Sequence, residues 1–267
     1  MPKLKHTFKT DNLFKLLFTK NKHLLKILVA RLLKIPVDSI TQFDIESTEM
    51  TPDILGSKFC RLDILMMVDE QYVNLEIQVS DEGNFPERLL HYWARIYSNA
   101  LSKGGDYKDL PRVIIIGIID FNLFNDSTEF HSEYQLLETT RKTSLTDKQV
   151  IHFFELPKLP EKIDRDDLLQ MWLALFKANT EEELQMIDEY GVDEINEVVT
   201  AYRKLSQSRE FREMERIRDK IAMNEASALG NARRERDEHW QGVVAEKDAS
   251  IAEKDAEIAE LKARLKE

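Results

Sequence analysis

Cysteine, glycine, proline and long hydrophobic runs are all scarce in this 267-residue chain. The single cysteine, Cys60, excludes an internal disulfide framework, and no group of Cys and His residues has the spacing of a zinc site. The longest aliphatic run, residues 113–119, is far too short to span a bilayer, and the lysine-rich N-terminus lacks the apolar segment of a signal peptide. These absences predict a cytoplasmic protein with no membrane association.

Charge is abundant but unevenly distributed. The net charge of −11 argues against a general nucleic-acid binder. Residues 1–34, however, hold nine Lys and Arg against the single acid Asp11, and nine less one leaves +8. A basic segment of this kind can face phosphate, because the local field rather than the net charge attracts a nucleic-acid backbone. The alternative is the solvated face of an amphipathic helix.

The most informative stretch is residues 58–79, in which apolar residues recur at every second position, with a clean polar face only in the second half. This period predicts two strands, and residues 69–71 form a polar turn between them. The apolar sets are Leu62, Ile64, Met66 and Val68 in the first strand, and Val73, Leu75, Ile77 and Val79 in the second. Glu76 and Gln78 therefore project side by side from the polar face of the second strand, about 7 Å apart.

Asp63 is unusual because it is an acid flanked by apolar residues in a strand that reads as buried. An unpaired carboxylate is costly in such a place. If the two strands pair around the turn, Asp63 lies across from Glu76, and two converging carboxylates predict a divalent cation between them. The alternative is a pair of acids at the rim of the sheet with salt bridges to Arg61 or Lys58.

Periodicity and punctuating residues predict the other elements. We expect helices at about residues 11–17, 23–33, 86–101, 164–177, 181–190, 192–205 and 210–228, and strands at about 40–50, 113–121, 130–138 and 149–156. The uninterrupted apolar run after residue 112 is typical of a strand buried on both faces. This order predicts an α/β core over residues 1–160, followed by a helical extension over residues 161–230.

The C-terminal residues 231–267 are predicted to form a charged helix with heptad repeats. A seven-residue unit occurs three times from Ala245, and one apolar row recurs at Val244, Ile251, Ile258 and Leu265. The row three residues further on is Lys247, Lys254 and Leu261. The pattern predicts a short coiled coil that joins copies of the chain into a homo-oligomer, with a dimer as the simplest case. The alternative is a solitary charged helix in solvent.

Several separated blocks carry a resemblance to a known family. They are Asp11–Phe18, Arg61–Ile64, Leu75–Gln78, Arg88–Trp93, Tyr107, Pro111–Ile116 and His152–Lys158. In this order and spacing the chain resembles the PD-(D/E)XK nuclease family transposases, the recombination-promoting nuclease group, over about residues 7–220. The resemblance implies a restriction-endonuclease-like mixed sheet flanked by helices, and cleavage of DNA phosphodiester bonds with Mg²⁺, or with Mn²⁺ in its place.

The resemblance also implies roles for single residues. Asp63 and Glu76 match the two metal-binding acids, and Asp11 matches an acid on the first helix that supports the metal site. Gln78 stands where the wider superfamily has a catalytic lysine. Such a lysine orients the attacking water and offsets the developing negative charge. The glutamine can hydrogen-bond to water but brings no charge.

Three cations are candidates for contact with DNA phosphate: Lys15, Arg88 and Arg95. For the two arginines the alternative is salt bridges to nearby acids. The function predicted first is that of a Mg²⁺-dependent DNA endonuclease of the transposase or recombination-promoting type. The second is a catalytically weak or inactive nuclease-fold protein that binds DNA or acts as a scaffold through its coiled coil. The third is a phosphodiesterase for small molecules or RNA, although no stacking platform for single strands singles out RNA.

Overall fold

The computed structural model describes residues 3–46, 49–50, 60–101 and 104–264. The chain divides into two compact units, Met1–Phe211 and Arg212–Glu267. The helices are α1 (Asp11–Lys20), α2 (Lys22–Leu32), α3 (Phe85–Asn99), α4 (Leu168–Lys177), α5 (Glu181–Asp188), α6 (Asp193–Ser206) and α7 (Arg209–Arg264). The strands are β1 (Phe43–Ile45), β2 (Glu49–Met50), β3 (Cys60–Arg61), β4 (Ile64–Val68), β5 (Gln71–Gln78), β6 (Val113–Ile119), β7 (His131–Gln135) and β8 (Gln149–Glu155).

Six of these strands form one mixed sheet in the order β1-β4-β5-β6-β8-β7. The pairs β5–β6 and β6–β8 are parallel, and the other three pairs are antiparallel. Helix α3 lies between β5 and β6 in the chain and forms the crossover that a parallel pair requires. The strands β2 and β3 pair separately as a two-stranded ladder.

The predicted hairpin is confirmed as the β4–β5 pair. Ile64 pairs with Leu75 and Val68 with Gln71, so the chain reverses at Asp69 and Glu70. Asp69 adopts a φ of 51°, a left-handed conformation that Asp tolerates better than most residues. The register fixed by this turn places Asp63, just before β4, across from Glu76.

Two apolar clusters cover the two faces of the sheet. The alternate residues Ile114, Ile116 and Ile118 of β6 belong to a cluster with α1, α2, α4 and α6. Val113, Ile115 and Ile119 belong to the cluster packed under α3. β6 is buried along its whole length, as its apolar run predicts. The result is a mixed sheet flanked by helices, the predicted fold class.

Some element boundaries differ from the predictions. Helix α4 begins at Leu168 rather than at residue 164, because the Asp167 carboxylate caps it by accepting from the Gln170 N–H at 3.1 Å. Residues 40–50, predicted as a strand or an extended arm, contain the short strands β1 and β2 in their described part, and β7 is shorter than the predicted 130–138. Helices α4 and α6 share a core with α1 and α2. The domain boundaries at residues 160 and 230 stay predictions.

Residues 210–228 and the heptad segment, predicted as separate helices, join in the 56-residue helix α7. Apolar side chains of the predicted seam are exposed along it, with Val244 at 54%, Ile251 at 57% and Ile258 at 47%. Leu265, the last residue of that seam, lies outside the described residues. Within the described part of the chain, no helix combines the length and apolar character needed to cross a membrane.

Candidate active site

Asp63 forms two hydrogen bonds to β5 at one end of the hairpin, one with the Glu76 carboxylate and one with the main chain of Ile77. The Asp63 N–H donates to Glu76 Oε1 at 3.0 Å, and the Ile77 N–H donates to Asp63 Oδ2 at 2.9 Å. Each carboxylate thus accepts a hydrogen bond from a main-chain N–H group that would otherwise bond to a carbonyl of the neighbouring strand. The hairpin itself therefore brings the two predicted acids together, because they lie one step beyond the last paired residues of its register.

The Glu76 side chain is buried, with only 4% of the residue exposed. Burial and then the charge of Asp63 raise the pKa of Glu76 to about 8, although hydrogen bonds from Asp63 and Asn74 act in the opposite direction. A carboxyl group raised in this way by its surroundings and by a second acid is typical of a functional site. Glu76 is therefore not an exposed acid at the rim of the sheet, as the alternative prediction would require.

Lys15, on α1, pairs with two carboxylates. Its ammonium lies 3.0 Å from Asp63 Oδ1 and 2.9 Å from Asp11 Oδ1. Burial acts to lower the pKa of Lys15, but the charge of Asp63 and the contacts with Asp11 outweigh it and raise that pKa. Lys15, from the first helix, is therefore a basic partner of Asp63. Of the two partners predicted for the acids, Lys58 lies outside the described residues, and the side chain of Arg61 is not described either.

Gln78 and Arg88 contact each other beside the two acids. The Arg88 Nη2 donates to Gln78 Oε1, while Gln78 Nε2 donates to the Ser80 carbonyl at 2.9 Å. Arg88 also forms an ion pair of 3.3 Å with Glu82, which agrees with the alternative of a salt bridge to a nearby acid. Its guanidinium lies 5.0 Å from the centre of the Phe85 ring, a cation–π distance.

The other predicted phosphate-binding cations lie further away or are already paired. Arg95 follows Arg88 by seven residues in α3, about 10 Å along the helix axis. Several cations of the basic N-terminal segment pair with acids of the protein itself: Lys9 with Asp120, Lys20 with Glu210, and Arg31 with Glu194. These ion pairs reduce the charge that the segment can offer to a nucleic acid.

Two residues of the site were not singled out from the sequence. Asn74, fully buried in β5, donates from Nδ2 to Glu76 Oε1 at 2.9 Å and holds that carboxylate in place. The available signal was a polar residue two positions before Glu76 on the same strand face. Gly117 in β6 pairs with Glu76, and a Cβ there would lie 3.0 Å from Phe85 Cε1. Glycine therefore allows α3 to pack closely beside Glu76.

The donor set fits a hard divalent cation. Asp63 and Glu76 offer carboxylate oxygens, and a bound cation would favour the charged form of the buried Glu76, whose pKa is raised by burial and by the charge of Asp63. Within the described ranges, no group of three or more His, Cys, Asp or Glu side chains is arranged as a metal site. Such a pair suits Mg²⁺, which is commonly held by one or two carboxylates and completes its shell with water and substrate phosphate.

A mixed sheet flanked by helices, with two acids converging on its antiparallel hairpin, has the architecture of the restriction-endonuclease-like fold class. The comparisons agree with this class. The sequence model of the PD-(D/E)XK nuclease family transposases matches residues 8–232, and the chain belongs to that family. Nucleases of this kind generally use divalent metal ions. Among curated proteins, none matches the chain.

Proposed function

We propose that the chain is a Mg²⁺-dependent DNA endonuclease of the recombination-promoting type, acting in the cytoplasm. The observation that carries the proposal is the convergence of Asp63 and Glu76 on one hairpin, with Glu76 buried and its pKa raised to about 8. Family membership supports a nuclease-type function. Mn²⁺ is expected to replace Mg²⁺, because both accept hard oxygen ligands.

In this mechanism Asp63 and Glu76 would hold the cation, and the neighbouring groups hold the acids. Mg²⁺ there would supply a Lewis acid for the scissile phosphate and would lower the pKa of the attacking water. Asn74 and the Asp63 N–H fix the orientation of the Glu76 carboxylate. Lys15 is positioned to offset the charge of Asp63 and Asp11 before DNA binds, and a phosphate oxygen is a further partner that we propose for its ammonium.

The first experiment measures nicking of supercoiled plasmid and cleavage of linear duplex with Mg²⁺ or Mn²⁺. Asp63→Asn and Glu76→Gln should each lower the rate by at least about 100-fold, since each removes a ligand charge that acts in the transition state. Glu133→Gln is the matched control. Glu133 is an exposed acid of the same sheet on β7, so its loss should leave cleavage unchanged.

The variants must remain folded for the comparison to hold, and thermal unfolding checks this. Equal cleavage by Asp63→Asn and the wild type would exclude the proposed metal site. A wild type that stays inert with both metals would exclude nuclease activity. The competing function is that of a nuclease-fold protein that binds DNA without cleaving it. Gln78 favours this alternative, because its amide is uncharged and both of its polar atoms are already hydrogen-bonded, one to Arg88 and one to Ser80.

We also propose that the second unit joins two copies of the chain through its C-terminal helix. Its exposed seam is apolar at Val244, Ile251 and Ile258, with a seven-residue spacing. Glu257 and Lys262 flank that seam, five residues apart. In two parallel copies this spacing places opposite charges in contact, which favours a second copy as the occupant.

Sedimentation equilibrium tests the association. The wild type should be dimeric at micromolar concentration, and Ile251→Glu should be monomeric because it places a charge in the apolar seam. Ala249→Glu is the control, since Ala249 is exposed two residues away and outside the seam. A monomeric wild type, or an equal loss in the two variants, would contradict the proposed seam.

A further inference from the structure

Arg88 reaches Gln78 because the chain turns back sharply between β5 and α3. The Asp81 carboxylate accepts from the Gly83 N–H at 2.8 Å, and Gly83 adopts a φ of 72°, which glycine allows without strain. Helix α3 begins two residues later at Phe85. Its first turn therefore returns a guanidinium to the end of β5, ten residues along the chain from Gln78.

The hydrogen bonds of this guanidinium are incomplete. The Nη2 group donates to Gln78, and Nη1 meets Glu82 at 3.3 Å, a contact whose acid is 57% exposed. The Arg88 Nε, in contrast, is buried and has no hydrogen-bond partner among the residues that the structure describes. A buried donor without a partner costs about 1–3 kcal/mol. If Arg88 served only to hold α3 against β5, the donor without a partner would contribute nothing to that role. An anion bound beside Gln78 would accept a hydrogen bond from it.

The charge of Arg88 also acts on the acid pair. Burial is the main cause that raises the pKa of Glu76, and the positive charge of Arg88 is among the influences that oppose the rise. The guanidinium is thus within electrostatic reach of a proposed metal-binding carboxylate. Lys15 does not provide the same charge at the same place, because its ammonium is already shared between Asp63 and Asp11.

On this geometry we infer that Arg88, positioned by Gln78, supplies the positive charge that a lysine would otherwise bring to position 78. The inference rests on the proposed nuclease function. It reassigns Arg88 from a general contact with the DNA backbone to the scissile phosphate itself. A guanidinium suits this role because its planar donors match two phosphate oxygens at once.

The role is electrostatic and involves no proton transfer to Arg88. In hydrolysis the water oxygen forms a bond to phosphorus while the bond to the leaving oxygen breaks. The water gives its proton to solvent and the leaving oxygen takes one up. Guanidinium groups stay protonated in proteins, so Arg88 keeps its charge throughout and stabilises the extra negative charge of the phosphate in the transition state.

A rescue experiment tests the inference. Arg88→Met should lower kcat for plasmid cleavage by about 100- to 1,000-fold at saturating DNA, the usual effect of removing one donor to a developing charge. The KM for DNA should change little, because the loss falls on the transition state. Gln78→Lys combined with Arg88→Met should recover at least about tenfold of the rate, since the lysine restores the missing charge. Arg141→Met, at an exposed arginine of another loop, is the control.

Mg²⁺ binding by calorimetry and the melting temperature provide readouts independent of turnover, and they should show that Arg88→Met is folded and still binds the ion. Arg88→Gln serves if the methionine variant does not fold. A change in KM alone would overturn the inference and indicate an ordinary backbone contact. A folded double variant without recovery would also overturn it. If the wild type and Arg88→Met cleave equally well, the role inferred for Arg88 is wrong but the proposed nuclease function stands. If the wild type does not cleave, both the proposed function and the role of Arg88 are wrong.

Discussion

Glu76 should make the metal-free protein less stable as the pH rises above neutrality. Its pKa is raised to about 8, so the folded state keeps the proton on this carboxyl group while the unfolded chain releases it near the ordinary value of 4.5. The folded state therefore binds more protons between these two values. Stability falls with increasing pH across that window and becomes level above about pH 8.

The magnitude follows from the difference between the two pKa values. At about 1.4 kcal/mol for each unit, the whole difference of about 3.5 units corresponds to roughly 5 kcal/mol. His152 produces the opposite slope at lower pH, because burial lowers its pKa from 6.5 to about 4. Stability contributed by neutral His152 is complete above pH 6.5 and is lost as the pH falls toward 4. Between pH 6.5 and 8 the change in the free energy of unfolding is therefore due to Glu76, and it amounts to a decrease of about 2 kcal/mol.

Calorimetric unfolding in EDTA at several pH values measures this slope. For a domain of this size, 2 kcal/mol corresponds to a decrease of about 4–8 °C in melting temperature. Glu76→Gln should remove the slope, because its amide does not titrate, and saturating Mg²⁺ should raise the melting temperature of the wild type at pH 8 but not that of the variant. The Glu133→Gln control should keep the wild-type change in stability between pH 6.5 and 8, where His152 is already neutral. An equal slope in Glu76→Gln and the wild type would refute the reasoning.

Three further predictions follow from single contacts. Gly117→Val should lower the free energy of unfolding by about 1–3 kcal/mol in thermal or urea unfolding, because the new side chain collides with Phe85; unchanged stability would contradict the close packing. Asp120→Asn should cost about 3 kcal/mol in the same assay, because it leaves the buried ammonium of Lys9 without its opposite charge. Lys15→Met should tighten Mg²⁺ binding by about tenfold in titration calorimetry, because it removes a cation that occupies the acids. Weaker binding would show that the lysine helps to assemble the site.

The acid pair could be predicted from the sequence because two local rules are sufficient for it. Alternation assigns each residue to a face of its strand, and a short turn fixes the register of the hairpin, so Asp63 and Glu76 must face each other. Both rules involve residues close together in the chain. The fully buried strand β6 was predictable for the same reason, since its apolar run admits few other structures.

The cations at the site could not be assigned in this way. Lys15 meets Asp63 across 48 residues only because α1 packs against the sheet, and no local pattern encodes that packing. Arg88 was expected to contact either DNA phosphate or a nearby acid, whereas its contact with Gln78 depends on the direction in which α3 leaves the turn after β5. The burial of Asn74 likewise depends on neighbouring strands and on α3. A polar residue in a strand signals a site, but its partners are set by tertiary packing.

In the proposed metal site, the charges around the acids would balance both without and with the cation. Without a metal, Lys15 offsets Asp63, while Glu76 holds a proton near neutral pH and adds no charge. Entry of a divalent cation favours release of that proton, and the incoming phosphate adds a further negative charge beside Arg88. Each positive charge that enters is thus matched by a negative one, so neither state requires the enclosed site to hold a large net charge. A lysine at position 78 would add a second fixed cation next to Arg88, and the contact between Gln78 and Arg88 avoids that repulsion.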